Sequence, residues 1–116
     1  GWEADEIPDP QEPGTVEASR LRWEELDEAE HARMLAWYQG LIALRRKLGW
    51  SQRTAWPQVD ETDDVLTVTY EDIVVATNLS DQDRPAPAAT TVLLSWNPVD
   101  AVPPFLCPGQ TLIARR

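Results

Sequence analysis

The hydrophobic period of this chain changes once, at Gly49, and that change limits the folds open to it. From Glu28 to Leu48 there is no proline and a single glycine, Gly40. At about 100° per residue, Met34, Leu35, Trp37, Tyr38, Leu41, Ile42, Leu44 and Leu48 cover roughly half of a helix surface. Ala36, Gln39, Ala43, Arg46 and Lys47 fall opposite. Asp27 and Glu30 have the spacing of a capping pair. Gly49 supplies a left-handed stop. The pattern predicts one long amphipathic helix over 27–49. An apolar arc that wide predicts contact with two bodies rather than one.

Beyond Gly49 the period becomes 2. "VLTVTY" (65–70) alternates, and "IVVATN" (73–78) is a β-branched run. Glu71-Asp72 joins them as a two-residue hairpin turn. "TTVLLSW" (90–96) and "QTLIARR" (110–116) read as two further strands, with a short one around Trp56 to Val59. "DETDD" (60–64), "SDQDRPAP" (80–87) and "NPVDAVPP" (97–104) read as loops. Short strands with no helices between them pair antiparallel. The expected fold is mainly β: a small antiparallel β-sandwich over 50–116, preceded by an extended Pro-rich segment over 1–26 and the helix.

The first segment is punctuated by Pro8, Pro10 and Pro13. A proline disfavours helix in the residue before it, so Ile7, Asp9 and Glu12 are expected to be extended. Such a segment stays ordered by lying along another surface. Trp2, Ile7, Val16, Leu21 and Trp23 are spaced as anchors for that purpose, the tryptophans against a neighbour rather than in water. The chain starts Gly1-Trp2, without an initiating methionine, and is read as a piece of something larger.

Charge and cysteine usage narrow the function. The formal net charge is −10, which argues against nucleic acid and anionic membranes as partners. No apolar run has the length of a membrane span and no signal peptide is visible. A single cysteine, Cys107, forms no intrachain disulfide, and a reducing cytoplasm fits best. Between Leu106 and Pro108, Cys107 reads as a buried spacer.

Catalytic chemistry is sparse. There is no phosphate loop, no Ser/His/Asp set and no metal-ligand cluster; His31 is the one histidine. The sequence therefore offers no catalytic, metal-ligating or cofactor-binding residues. Asp60, Glu61, Asp63 and Asp64 read as a solvated charge run, with calcium as the alternative. His31 and Arg45 both fall inside the apolar arc. His31 reads as a hydrogen-bonded interface residue. A buried Arg45 needs a carboxylate or several carbonyls, so it reads as a structural ion pair, a ligand contact being the alternative. The six tryptophans are the unusual count. With Trp37 on the helix arc and Trp2 and Trp23 as anchors, Trp50, Trp56 and Trp96 remain as candidates for stacking on sugar rings.

These residues also carry a resemblance. Pro8-Asp9-Pro10-Gln11, Thr15, Ser19, Leu21, Trp23, His31 and the set Tyr38, Leu41, Ile42, Leu44, Arg45, Arg46 resemble the tail of the malto-oligosyltrehalose trehalohydrolase family. That family lies in the α-amylase superfamily, glycoside hydrolase family 13. "IVVATNLS" is similar to a strand in the family's C-terminal domain. The resemblance spans nearly the whole chain. It implies a non-catalytic C-terminal domain of a cytoplasmic glycosidase in trehalose biosynthesis, one that releases trehalose from maltooligosyl trehalose. The implied partner is the parent's catalytic (β/α)₈ barrel, in cis, with a maltooligosaccharide-type substrate reached through the parent. Residues 1–26 would run along the barrel, 27–49 would be its last helix or one packed beside it, and 50–116 the β domain. The family's catalytic carboxylates belong to barrel loops upstream and find no counterpart here. From a different class, a stand-alone carbohydrate-binding module using Trp50, Trp56 or Trp96 is the competing reading.

Overall fold

The computed structural model describes residues 9–52 and 54–116. The expected anchors Trp2 and Ile7 lie outside them. Contacts divide the chain into two units, 1–35 and 36–116, and each is described by itself.

In the first unit, helix α1 spans Pro13–Ala18 with proline at its start. There the fixed φ suits the helix and the missing N–H would be unpaired anyway. Glu12 is extended (φ −74°, ψ 132°), as expected of a residue before proline. Asp9 instead opens a turn, its carboxylate accepting from the Gln11 N–H at 2.9 Å. α1 ends where the Ser19 hydroxyl donates back to the Thr15 carbonyl at 2.8 Å. The segment expected to be extended throughout thus contains a helix that Pro13 starts rather than breaks. A 3-10 helix, Trp23–Asp27, follows. Helix α2 is Ala29–Lys47. Asp27 closes the 3-10 helix, so the residue ahead of α2 is Glu28, extended at φ −77° and ψ 136°. The capping position has moved one residue along from the expected Asp27.

The second unit is built on a five-stranded antiparallel sheet, ordered β1-β2-β3-β7-β5. Its strands are β1 (Gln58–Thr62), β2 (Val65–Tyr70), β3 (Ile73–Asn78), β5 (Thr91–Ser95) and β7 (Thr111–Arg115). Two short strands, β4 (Arg84–Pro85) and β6 (Phe105–Leu106), form a second sheet. The chain is mainly antiparallel sheet with one long helix, as the change of period predicts. β2 and β3 pair from Tyr70↔Ile73 onward across the Glu71-Asp72 turn, with Glu71 at φ 54°. β1 and β2 pair from Thr62↔Val65, with Asp63 and Asp64 both left-handed at φ 52° and 61°. The acidic stretch expected as a loop is therefore the end of a strand and its hairpin turn.

Alternation along the central strands builds two separate cores. Val65, Val74, Ala76, Leu112 and Ala114 point to one face and pack with Leu106 of β6. Ile73 and Ile113 point to the other and pack with Leu44 of α2. The helix and the small sheet thus cover opposite faces, which is why β3 reads as a continuous apolar run rather than an alternating one. A register shift between Val92 and Leu94 in β5 turns Leu93 and Leu94 both toward the helix side.

One buried amide ties the ends together. Asn78, fully buried, donates from Nδ2 to the carbonyls of Gln82 (2.7 Å) and Leu106 (2.9 Å). Its Oδ1 accepts from the Ser80 N–H at 2.9 Å and the Ser80 hydroxyl at 2.8 Å. Buried Gln110 accepts from the Cys107 N–H at 3.0 Å and donates to Ser95 Oγ at 3.2 Å. The turn between them, Cys107-Pro108-Gly109-Gln110, closes with Gln110 N–H on the Cys107 carbonyl at 3.0 Å. Gly109 takes φ 68° there, which Pro-Gly turns demand. This turn leaves Cys107 exposed, not buried as its apolar neighbours suggested.

Candidate functional site

α2 presents two kinds of surface within the second unit. Trp37, Leu41, Leu44 and Leu48 recur at helical spacing and are the least exposed large side chains of this stretch. Leu41 and Leu48 join Leu44 against Ile73 and Ile113. Trp37 meets Trp96 edge-on, ring centroids 5.6 Å apart at 84°, a favourable aromatic geometry. Gly40 lies against Leu94. Rotated from this stripe, Tyr38 and Ile42 stay 58% and 49% exposed. One flank of the apolar arc is therefore used by the sheet, and another carries large apolar side chains into solvent.

Arg45 falls between these stripes and is exposed. The expectation of a buried guanidinium with an obligatory partner rested on its place in the arc. In solvent, water satisfies the charge and no such partner is demanded.

The three tryptophans singled out for sugar stacking sit in different surroundings. Trp50, in the short 3-10 helix Trp50–Gln52, is partly buried against the Leu44–Ile73–Ile113 cluster. Trp96 is partly buried and engaged by Trp37. Trp56 is 93% exposed just ahead of edge strand β1.

Two acidic residues of the β1–β2 hairpin have side-chain partners. Asp64 accepts from Arg84 at 2.9 Å, and Asp60 accepts from the Thr62 hydroxyl at 3.0 Å. Among the described residues, no group of three or more metal-ligand side chains converges.

The first unit holds a cleft of about 440 Å³, within the size range of small-molecule sites. Leu21, Trp23 and Leu26 supply apolar surface; Arg20, Arg22, Glu25 and His31 supply polar groups. His31, expected at a hydrogen-bonded interface, is half exposed, with Nδ1 3.7 Å from Glu25 and Nε2 3.7 Å from Glu28. Arg22 contacts Glu25, and Arg20 lies 3.4 Å from Glu17. Trp23, expected as an anchor against a neighbouring surface, is 72% exposed within this chain.

No family model matches the chain. Several malto-oligosyltrehalose trehalohydrolases are similar to it. One from Brevibacterium helvolum is 34% identical over 127 residues, covering 99% of this chain and 21% of that protein. One from Mycobacterium tuberculosis is 34% identical over 107 residues, covering 83% of this chain and 17% of that protein. One from Rhizobium sp. is 37% identical over 87 residues, covering 73% of this chain and 15% of that protein. The chain thus spans about a fifth or less of the relatives' length, which is consistent with a C-terminal region of that enzyme.

Proposed function

We propose that this chain is the non-catalytic C-terminal domain of a glycoside hydrolase that releases trehalose from maltooligosyl trehalose, and that it supports that enzyme's catalytic (β/α)₈ barrel in cis. The observation that carries this reading is the coverage: nearly all of this chain, but only a fifth of a trehalohydrolase, is matched. The solvent-facing Tyr38 and Ile42 support it, because large apolar groups together on one helix flank favour a partner surface. In this proposal 27–49 packs on the barrel through that flank and on 50–116 through the other, while 1–26 runs along the barrel. The catalytic carboxylates of a retaining mechanism reside in the rest of the parent. We place the enzyme in the cytoplasm, a reading supported by the lone cysteine.

The test is an assay of the purified chain on maltooligosyl trehalose. No trehalose release is expected. Measurable turnover by the chain alone ends the non-catalytic assignment.

Trp56 favours a second reading, a carbohydrate-binding module, because an indole 93% exposed offers an open stacking face. In that case a maltooligosaccharide titration changes tryptophan fluorescence saturably, and Trp56→Ala abolishes the change. A response that survives Trp56→Ala removes this reading.

A further inference from the structure

We propose that α2 fills only part of its face of the five-stranded sheet, and that an amphipathic helix from the remainder of the parent lies beside α2 across strands β1 and β2. This rests on the reading of the chain as a domain attached in cis to a larger enzyme. It names the element that docks and adds the sheet to the docking surface.

The pairing register lays one apolar row across the whole sheet. Val59 pairs with Val68, Val68 with Val75, Val75 with Ile113, and Ile113 with Leu94. Residues opposite each other in an antiparallel ladder share a face, so the five side chains lie on one side. The ends of the row differ. Ile113 is 3% exposed where it packs with Leu44 of α2, and Leu94 lies against Gly40. Val75 and Val68 are half-buried, and Val59 is 65% exposed.

Dimensions say what is missing. Strands spaced by about 4.8 Å put the two edges of a five-stranded sheet about 19 Å apart. A helix with its side chains is about 10 Å across. α2 packs on residues of β3, β7 and β5, which leaves over β1 and β2 the width of one further helix. α2 itself supplies the side wall. At about 100° per residue, Tyr38 and Ile42 stand about 160° round the helix from Gly40. Gly40 faces Leu94 of β5, so Tyr38 and Ile42 are turned away from that edge, and both stay about half exposed. A helix suits this place better than an extended chain. It satisfies its own backbone N–H and C=O groups, and the face of a sheet offers them no partners.

Charge and coverage select whose helix it is. Glu61, two residues on from Val59 and therefore on the same face, is exposed at the rim. Two copies of a chain of net charge −10 repel each other, which disfavours a second copy as occupant. The chain matches 21% of a relative, so roughly four-fifths of such an enzyme lies outside it. A (β/α)₈ barrel carries its helices as an outer ring, where one can meet this face.

The experiment mixes the chain, labelled at its valine methyl groups, with a trehalohydrolase relative that lacks the region similar to this chain. A soluble paramagnetic probe reads the exposure of each methyl group, and a titration reads affinity. In the complex the Val59 and Val68 methyl groups are expected to lose most of their broadening by the probe. Val59→Asp should weaken the complex at least about tenfold while the variant remains folded by circular dichroism. Phe105→Ser, on the small sheet that covers the opposite face, should leave affinity unchanged. Val59 methyl groups as exposed in the complex as in the free chain overturn the proposal, as does full-strength binding by folded Val59→Asp. Either result leaves the Tyr38–Ile42 contact and the cis reading standing. Self-association of the chain that Val59→Asp abolishes gives the face to a second copy and overturns the proposal too. Absence of any complex with the unsubstituted chain removes the cis reading and the proposal together.

Discussion

Gly40 and Leu94 meet where helix α2 lies on strand β5: a Cβ at Gly40 would stand 3.1 Å from Leu94 Cδ1. The helix approaches the sheet closely there because nothing projects from Gly40. The competing terms set the outcome of substitution. Alanine gains up to about 1 kcal/mol in helix propensity over glycine. Against that, it pushes the flexible end of Leu94 by a few tenths of an ångström. Gly40→Ala should therefore stay within about 1 kcal/mol of the unsubstituted chain in urea unfolding. Gly40→Leu should cost about 2 kcal/mol, since its extra atoms have no room.

Asn78 should be the costliest polar position in the second unit. Its amide serves the carbonyls of Gln82 and Leu106 and the N–H and hydroxyl of Ser80. Asn78→Ala strands these groups and should destabilise by about 3 kcal/mol. Asn78→Asp is isosteric but turns an acceptor toward two carbonyls, and it should be at least as damaging at neutral pH. Equilibrium unfolding checks both.

Leu44 and Ile42 are two residues apart and should behave oppositely. Leu44 packs against Ile73 and Ile113, and Leu44→Ala should cost about 2–4 kcal/mol. Ile42 is 49% exposed, and Ile42→Ala should cost under about 1 kcal/mol in the isolated chain. Thermal unfolding of the two variants makes the comparison.

Legibility in the sequence followed the strength of the local pattern. Strands β2 and β3 lie at the residues where the alternating and β-branched runs fall, because both runs are bounded by turn residues. β4 and β6 escaped notice: two-residue strands carry no period, and Pro85 reads as a loop signal. α1 was hidden by Pro13, which signals a break unless it occupies the first turn. The helical wheel identified the apolar arc but not which flank the sheet takes. That depends on tertiary packing, and so Arg45 came out exposed. The same limit applied to the tryptophans. Composition alone does not separate Trp96, met by Trp37, from Trp56 in solvent. The cleft at Trp23 needed the fold of 18–31 to become visible.

The central claim, that the Tyr38–Ile42 flank rests on a catalytic body, is tested most directly by reassembly. A trehalohydrolase relative is expressed without the region similar to this chain and mixed with the chain, and complex formation and trehalose release are followed. The account predicts a complex and restored release with the unsubstituted chain, and neither with Ile42→Asp, although that variant remains folded by circular dichroism. Equal reassembly by Ile42→Asp, or no complex with either chain, would contradict it.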